Sequence, residues 1–119
     1  MILTALGKGA GAGALYPEFI GRRGLFVGIG TGPASYVAGT ADPISLAIPN
    51  YYIDAVAGGV TSVSGKYVVY AQPSGTGTRQ TWGLRWFIAL ASAGTVGQEA
   101  NSANLSAEEV QLALFVGQF

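Results

Sequence analysis

The chain has no cysteine and no histidine among its 119 residues. Without thiols it forms no disulfide, zinc finger or iron–sulfur cluster, and it has no cysteine nucleophile. Without imidazole it has no Ser–His pair, no histidine metal ligand and no side chain that ordinarily titrates near neutrality. Charge is scarce as well. Six Lys and Arg balance six Asp and Glu, so charged residues make up 10% of the chain, against about 25% in an average soluble domain. The acids are Glu18, Asp42, Asp54, Glu99, Glu108 and Glu109. Only the last two are neighbours, and adjacent residues point apart on a helix or strand. Asp42 and Asp54 stand alone, whereas calcium needs several closely spaced oxygens. The sequence therefore predicts no metal site, no cofactor and no catalytic residue; the expectation is a protein that is not an enzyme. Arg22-Arg23 is the single basic cluster, and there is no basic stripe to neutralise phosphates, so nucleic acid is not an expected partner. Met1–Leu6 is apolar but is interrupted at once by Gly7-Lys8, unlike a signal peptide. No run has the length of a membrane-spanning helix, and no membrane partner is expected.

What is present begins with glycine, nineteen in all. In residues 1–23, Gly7, Gly9, Gly11 and Gly13 alternate with Lys8, Ala10 and Ala12. This formally matches a G-x-G-x-x-(G/A) phosphate loop. However, Pro17 follows quickly and no helical periodicity appears, so the context that motif requires is missing. Glycine raises the entropy cost of ordering, which suggests a flexible arm. Yet the segment also carries Ile2, Leu3, Leu6, Leu15, Tyr16, Phe19 and Ile20, and disordered linkers are usually poor in such residues. The reading that reconciles both is an arm of residues 1–23 that docks on a neighbouring subunit. Its apolar groups would fill pockets, and Arg22 and Arg23 would meet acidic groups at the rim.

Residues 24–119 read as a single β domain. Gly24–Gly30 is a short apolar strand, Ser35–Ala38 a possible return strand, and Ile44, Leu46 and Ile48 alternate with smaller residues. Tyr51–Ala57 follows, and Gly58-Gly59 reads as a hairpin turn. The clearest unit is Lys66–Leu90, an antiparallel hairpin. On its second strand Trp82, Leu84, Trp86, Ile88 and Leu90 share one parity, and a period of two places them on a core face. Arg79 and Arg85 fall on the outer parity. They are candidates for contact with a partner, because the planar guanidinium makes several hydrogen bonds at once. In the tail, Ser106-Ala-Glu-Glu109 fits a helical capping box, but Val110, Leu112, Leu114 and Val116 alternate as in a strand. Turn signals every eight to twelve residues predict an all-β fold: a compact sandwich or small barrel of about seven short antiparallel strands with a Gly-rich N-terminal arm. Sparse, balanced charge favours association, so much of the surface is expected to be covered by other subunits.

In layout the chain resembles small β-rich decoration (cement) proteins and other virion structural proteins of tailed bacteriophages. The likeness rests on the segment from Gly65 to Leu90 and on the ending NLSAEEVQLALFVGQF. It is a likeness of layout, so no functional residue carries over. It implies a non-enzymatic protein, made in the host cytoplasm and located on the capsid surface. Such a protein binds the major capsid protein or other virion subunits, often as a homo-oligomer (dimer or trimer). Alternatives are a head–tail or tail component, a self-assembling fibre or matrix subunit, and a carbohydrate-binding module built on Tyr51, Tyr52 or an exposed tryptophan.

Overall fold

The β-branched and aromatic runs between glycine, proline and asparagine turns form ten strands in the computed structural model, which describes residues 1–5, 18–20, 23–47, 50–57, 59–74 and 81–118. They are β1 (Ile2–Ala5), β2 (Glu18–Ile20), β3 (Arg23–Thr31), β4 (Asp42–Pro43), β5 (Ser45–Leu46), β6 (Tyr51–Val56), β7 (Val60–Thr61), β8 (Tyr67–Ser74), β9 (Thr81–Ile88) and β10 (Glu109–Gln118). The described residues contain no α-helix, only a 3₁₀ turn at Ala91–Ala93. The capping-box alternative thus yields to the strand period. Asn104 Oδ1 instead accepts hydrogen bonds from the backbone N–H and hydroxyl of Ser106 in a local turn, and the chain enters β10 directly.

The strands form two sheets. One has the order β5-β1-β3-β10-β6, with β2 also on β3, and the other runs β4-β9-β8-β7. Two corners join them into a nearly closed, flattened barrel. At one corner β4 pairs with β9 while β5, one residue later, pairs with β1. At the other, β6 pairs with β10 and β7 with β8. Strands that leave one sheet and enter the other remove most of the free edge, which is the usual liability of a low-charge β protein. Counted as staves, with β1 and β2 in line and each corner pair taken as one, the barrel has seven. Two expectations need correction here. Gly58-Gly59 does not close a hairpin, because β6 and β7 belong to different sheets. The strands are also not all antiparallel: β1 and β5 run parallel.

The Lys66–Leu90 hairpin is present, with Tyr67 opposite Ile88 and Ser74 opposite Thr81. Its alternation holds as far as Ile88. Leu90, expected on the core face, is exposed. The strand ends at Ile88, the N–H groups of Ala89 and Leu90 both turn to the Lys66 carbonyl, and the 3₁₀ turn follows.

The described parts of residues 1–23 belong to the larger sheet. β1 and β2 lie on the same edge of β3, with Ala5 opposite Gly28 and Glu18 opposite Leu25. Residues 6–17, which hold the alternating glycines, lie outside the described residues.

The core fills the space between the sheets. Leu3, Phe26, Val110, Leu112, Leu114 and Val116 point inward from one side, and Tyr67, Val69, Leu84 and Trp86 from the other. Trp86 is fully buried and meets Tyr67 edge to face, with ring centroids 6.0 Å apart. The tryptophan parity is therefore a packing surface. Gly32 shows how tight the lid over this core is. A methyl group there would stand 2.6 Å from Leu105 Cβ and 2.7 Å from the Leu105 carbonyl oxygen, and backbone cannot swing aside as a side chain does.

Two outcomes follow from this packing. Trp86→Ala should cost about 3–5 kcal/mol, as large-to-small core changes do, and Trp86→Phe clearly less. Gly32→Ala should cost roughly 1–3 kcal/mol through overpacking. Chemical denaturation followed by tryptophan fluorescence and circular dichroism checks both. A Trp86→Ala variant as stable as wild type would remove Trp86 from the core.

Candidate interaction surface

With few charges available, it matters where each is used. Two clusters engage Glu99 and Glu108. In the first, Arg85 on β9 forks onto Glu99, with Nε 2.7 Å from Oε2 and Nη2 2.5 Å from Oε1, and its Nη1 reaches Gln72 Oε1 at 3.1 Å. Glu99 also accepts the Tyr36 hydroxyl at 2.6 Å and the Gly39 N–H at 3.0 Å. The Tyr36 oxygen in turn accepts the Trp86 N–H at 3.2 Å. The result is a pin. It fastens the 33–41 loop and the 98–105 segment to the edge of β9, supported by a backbone bridge between Tyr36 and Ala103.

Titration follows from this geometry. Hydrogen bonds from Arg85, above all, hold the Glu99 carboxyl down from an ordinary 4.5 to about 2, against a smaller opposing effect of burial. The same bonds raise the Arg85 guanidinium further above its usual range. Burial, then the bond to Glu99, pushes the Tyr36 phenol up.

In the second cluster Glu108, nine-tenths buried, accepts the Ser64 hydroxyl. Ser62 Oγ lies 3.2 Å from Ser64 Oγ and accepts the Tyr67 N–H at 3.2 Å. This carboxylate braces the tight β7–β8 turn, where Gly65 takes φ +76°, a conformation that suits glycine. At the β4–β5 corner Asp42 takes the Met1 ammonium at 3.1 Å. In each cluster the ionic groups hold loops to the barrel. Among the described residues no group of three or more acids could hold a metal ion, and no helix is long and apolar enough to cross a membrane.

The outward faces of the two sheets differ in chemistry. On the β8–β9 sheet, Tyr70 stands opposite Arg85 and meets Phe87 edge to face at 5.6 Å. The Arg85 guanidinium lies 5.9 Å from the Phe87 ring centre. This is a mixed aromatic and polar face. The larger sheet is different. Three cross-strand rows point outward: Leu25, Phe115 and Ala55; then Val27 and Ala113; then Thr4, Ile29 and Gln111. The backbone of Glu18 on β2 stands opposite Leu25 at the end of the first row; the residues these rows take from β1, β3, β6 and β10 are uncharged, and Leu25, Val27 and Phe115 remain 48%, 39% and 50% exposed.

The sequence-derived candidates distribute as follows. Leu3 is fully buried in the chain's own core, so its side chain is occupied there and not presented to a partner. The reason is that β1 is a stave of the barrel, and its inward parity falls on Leu3. Ile2, on the outward parity, is 65% exposed. Arg85 does not extend into solvent but is engaged by Glu99. The backbones of Phe19, Ile20 and Arg23 lie in β2 and β3. Leu6, Leu15, Tyr16, Arg22 and Arg79 lie outside the described residues. Sequence reasoning missed Leu25, Val27 and Phe115. The available signal was that β3 is apolar on both parities and that Phe115 breaks the polar side of the β10 alternation. Comparison with protein families, with curated proteins and with solved structures finds no match for this chain.

The pin predicts a pH dependence. The unfolded chain protonates Glu99 near 4.5 and the folded chain near 2. Its stabilising contribution is therefore complete above about pH 4.5 and disappears as pH falls toward 2. Glu99→Gln should melt below wild type at pH 7, and the gap should close on acidification across that window. A gap that stays constant from pH 7 to 2 would show that the ion pair does not stabilise the fold.

Proposed function

We propose that the chain is a non-enzymatic structural subunit of a tailed-phage virion, most specifically a decoration protein that binds the assembled capsid from outside. The observation that carries the reading is the division of labour between charge and surface. The clustered ionic groups pin loops to the barrel, while Leu25, Val27 and Phe115 lie exposed in cross-strand rows on the larger sheet. Such a surface is suited to contact. Contiguous exposed apolar patches on a soluble protein generally mark interaction sites.

The energetics of such a role are those of linkage. A ligand that binds only the assembled lattice stabilises it by mass action, and many copies repeat the effect across a shell. The partners under this reading are the major capsid protein or other virion subunits. The Tyr70–Phe87–Arg85 face has the composition of a non-obligate interface, in which Tyr, Phe and Arg are enriched. The tryptophan platform needed for the carbohydrate alternative has less support, because Trp86 is interior.

Binding of this kind should be apolar and hydrogen-bonded. At 1 M salt the Debye length is about 3 Å, so attraction between exposed charges is suppressed. Particles that lack the protein, incubated with it and sedimented, should retain it in stoichiometric amount at 1 M NaCl and should disrupt at a higher temperature than bare particles. Failure to bind, or full release by salt alone, would overturn the reading.

A further inference from the structure

We propose that Pro73 guards the open edge of β8: by withholding a main-chain N–H there, it keeps a second copy of this chain from adding its own β8 to the barrel. The inference goes beyond the structural-subunit reading and does not rest on it, since it concerns how one copy avoids another in solution.

The first argument is where β8 is left open. On one side β9 covers it over its whole length, from Tyr67 opposite Ile88 to Ser74 opposite Thr81. On the other side β7 reaches only Val68 and Val69. Among the described residues no strand pairs with that side beyond Val69. The hydroxyls of Ser74 and Thr81 lie 2.5 Å apart and hold the hairpin together at its far end, so the open side is extended backbone backed by a neighbour. Gln72, Pro73 and Ser74 are exposed along it. A strand edge of this kind is a template for pairing with another chain.

The second argument is the direction of the main-chain groups. The Lys66 carbonyl accepts the N–H groups of Ala89 and Leu90 on the β9 side, whereas the Tyr67 carbonyl accepts the Ser62 N–H on the β7 side. Main-chain groups alternate in this way along an antiparallel strand, so Tyr67, Val69, Ala71 and Pro73 turn theirs away from β9. In the open stretch only Ala71 and Pro73 therefore point main-chain groups outward, and proline has no N–H to offer. Moved by one residue, onto Gln72 or Ser74, the same ring would remove a ladder bond to β9. Proline within sheets is confined to such edge positions.

The third argument is composition. Tyr67–Gln72 reads YVVYAQ: aromatic and β-branched, uncharged, with neither glycine nor proline. Short segments of that composition stack readily into assemblies of paired strands. The window is flanked by Lys66 and Pro73, and charge and proline are the residues that break such runs. Balanced charge over the whole chain adds little self-repulsion. Two copies of β8 pairing antiparallel about a two-fold axis at Gln72 would set Ala71 of each opposite residue 73 of the other. Both bonds donated by residue 73 are lost when that residue is proline, and its ring stands where the incoming strand would lie.

The test uses the full chain. Pro73→Thr restores the N–H with a β-prone side chain. Followed by sedimentation and thioflavin T fluorescence over a concentration series, it should associate at a concentration at least ~10-fold below any at which the wild type does, with unchanged circular dichroism in dilute samples. Adding Ala71→Pro to the same chain removes the other outward N–H and should return it to wild-type behaviour. A Pro73→Thr chain that folds and associates no more than wild type overturns the proposal. So does association that Ala71→Pro leaves undiminished, because the contact then lies elsewhere. Should Pro73→Thr not fold, Pro73→Ala restores the same N–H with a smaller side chain and is read against the same two outcomes. If neither variant folds, Pro73 serves the fold itself and the proposal falls.

Discussion

The pairing of β3 with β10 sets most of what this molecule can be. It runs unbroken from Thr31 opposite Glu109 to Arg23 opposite Gly117. Side chains alternate across a strand, so one ladder determines two surfaces together. The inward parity gives Phe26, Val110, Leu112, Leu114 and Val116 to the core. The outward parity gives Leu25, Val27, Ala113 and Phe115 to the exterior. A register slip by one residue would exchange the two sets. The core demand therefore fixes the exterior, and the apolar outer rows cannot be altered by sliding the strands.

Around that ladder Glu99 and Glu108 serve closure. Glu99 joins the 33–41 loop, the 98–105 segment and β9 through Tyr36, Gly39 and Arg85. Glu108 braces the β7–β8 turn through Ser64. A carboxylate held by several donors is well satisfied even when half hidden from water, so a handful of acids can secure long loops. The consequence for function is subtractive. Arg85, Glu99 and Glu108, which would otherwise add to a surface field and to long-range steering of partners, are turned toward the protein itself. On the outward faces Tyr70, Leu25, Val27 and Phe115 offer short-range surface, effective on contact.

The two outward faces thus differ in kind. The β8–β9 face mixes Tyr70, Phe87 and the paired Arg85, whereas on the β3–β10 ladder Leu25, Val27 and Phe115 stand exposed between the positions of Glu109 at one end and Arg23 at the other.

Much of this was legible in the sequence wherever the information is local. The period of two identifies β9 and β10 and places Trp82, Leu84 and Trp86 inward, because alternation and burial report on the same residues. The absence of Cys and His, and the scarcity of charge, narrowed the chemistry before any fold was known. Long-range pairing was not legible. Nothing near Gly58-Gly59 says that the strands on either side enter different sheets, since a turn specifies its own backbone and not its neighbours' partners. Nothing near Ile2 or Leu3 says that the first strand closes a barrel against Ser45 and Ile29. Tyr36 and Glu99 are 63 residues apart, and only the folded chain brings them to one guanidinium. The sequence by itself determined the class of fold and which residues are apolar. Whether an apolar residue of a strand such as β3 ends up inside or outside was decided by the tertiary structure, because only one face of a sheet can be turned toward the core.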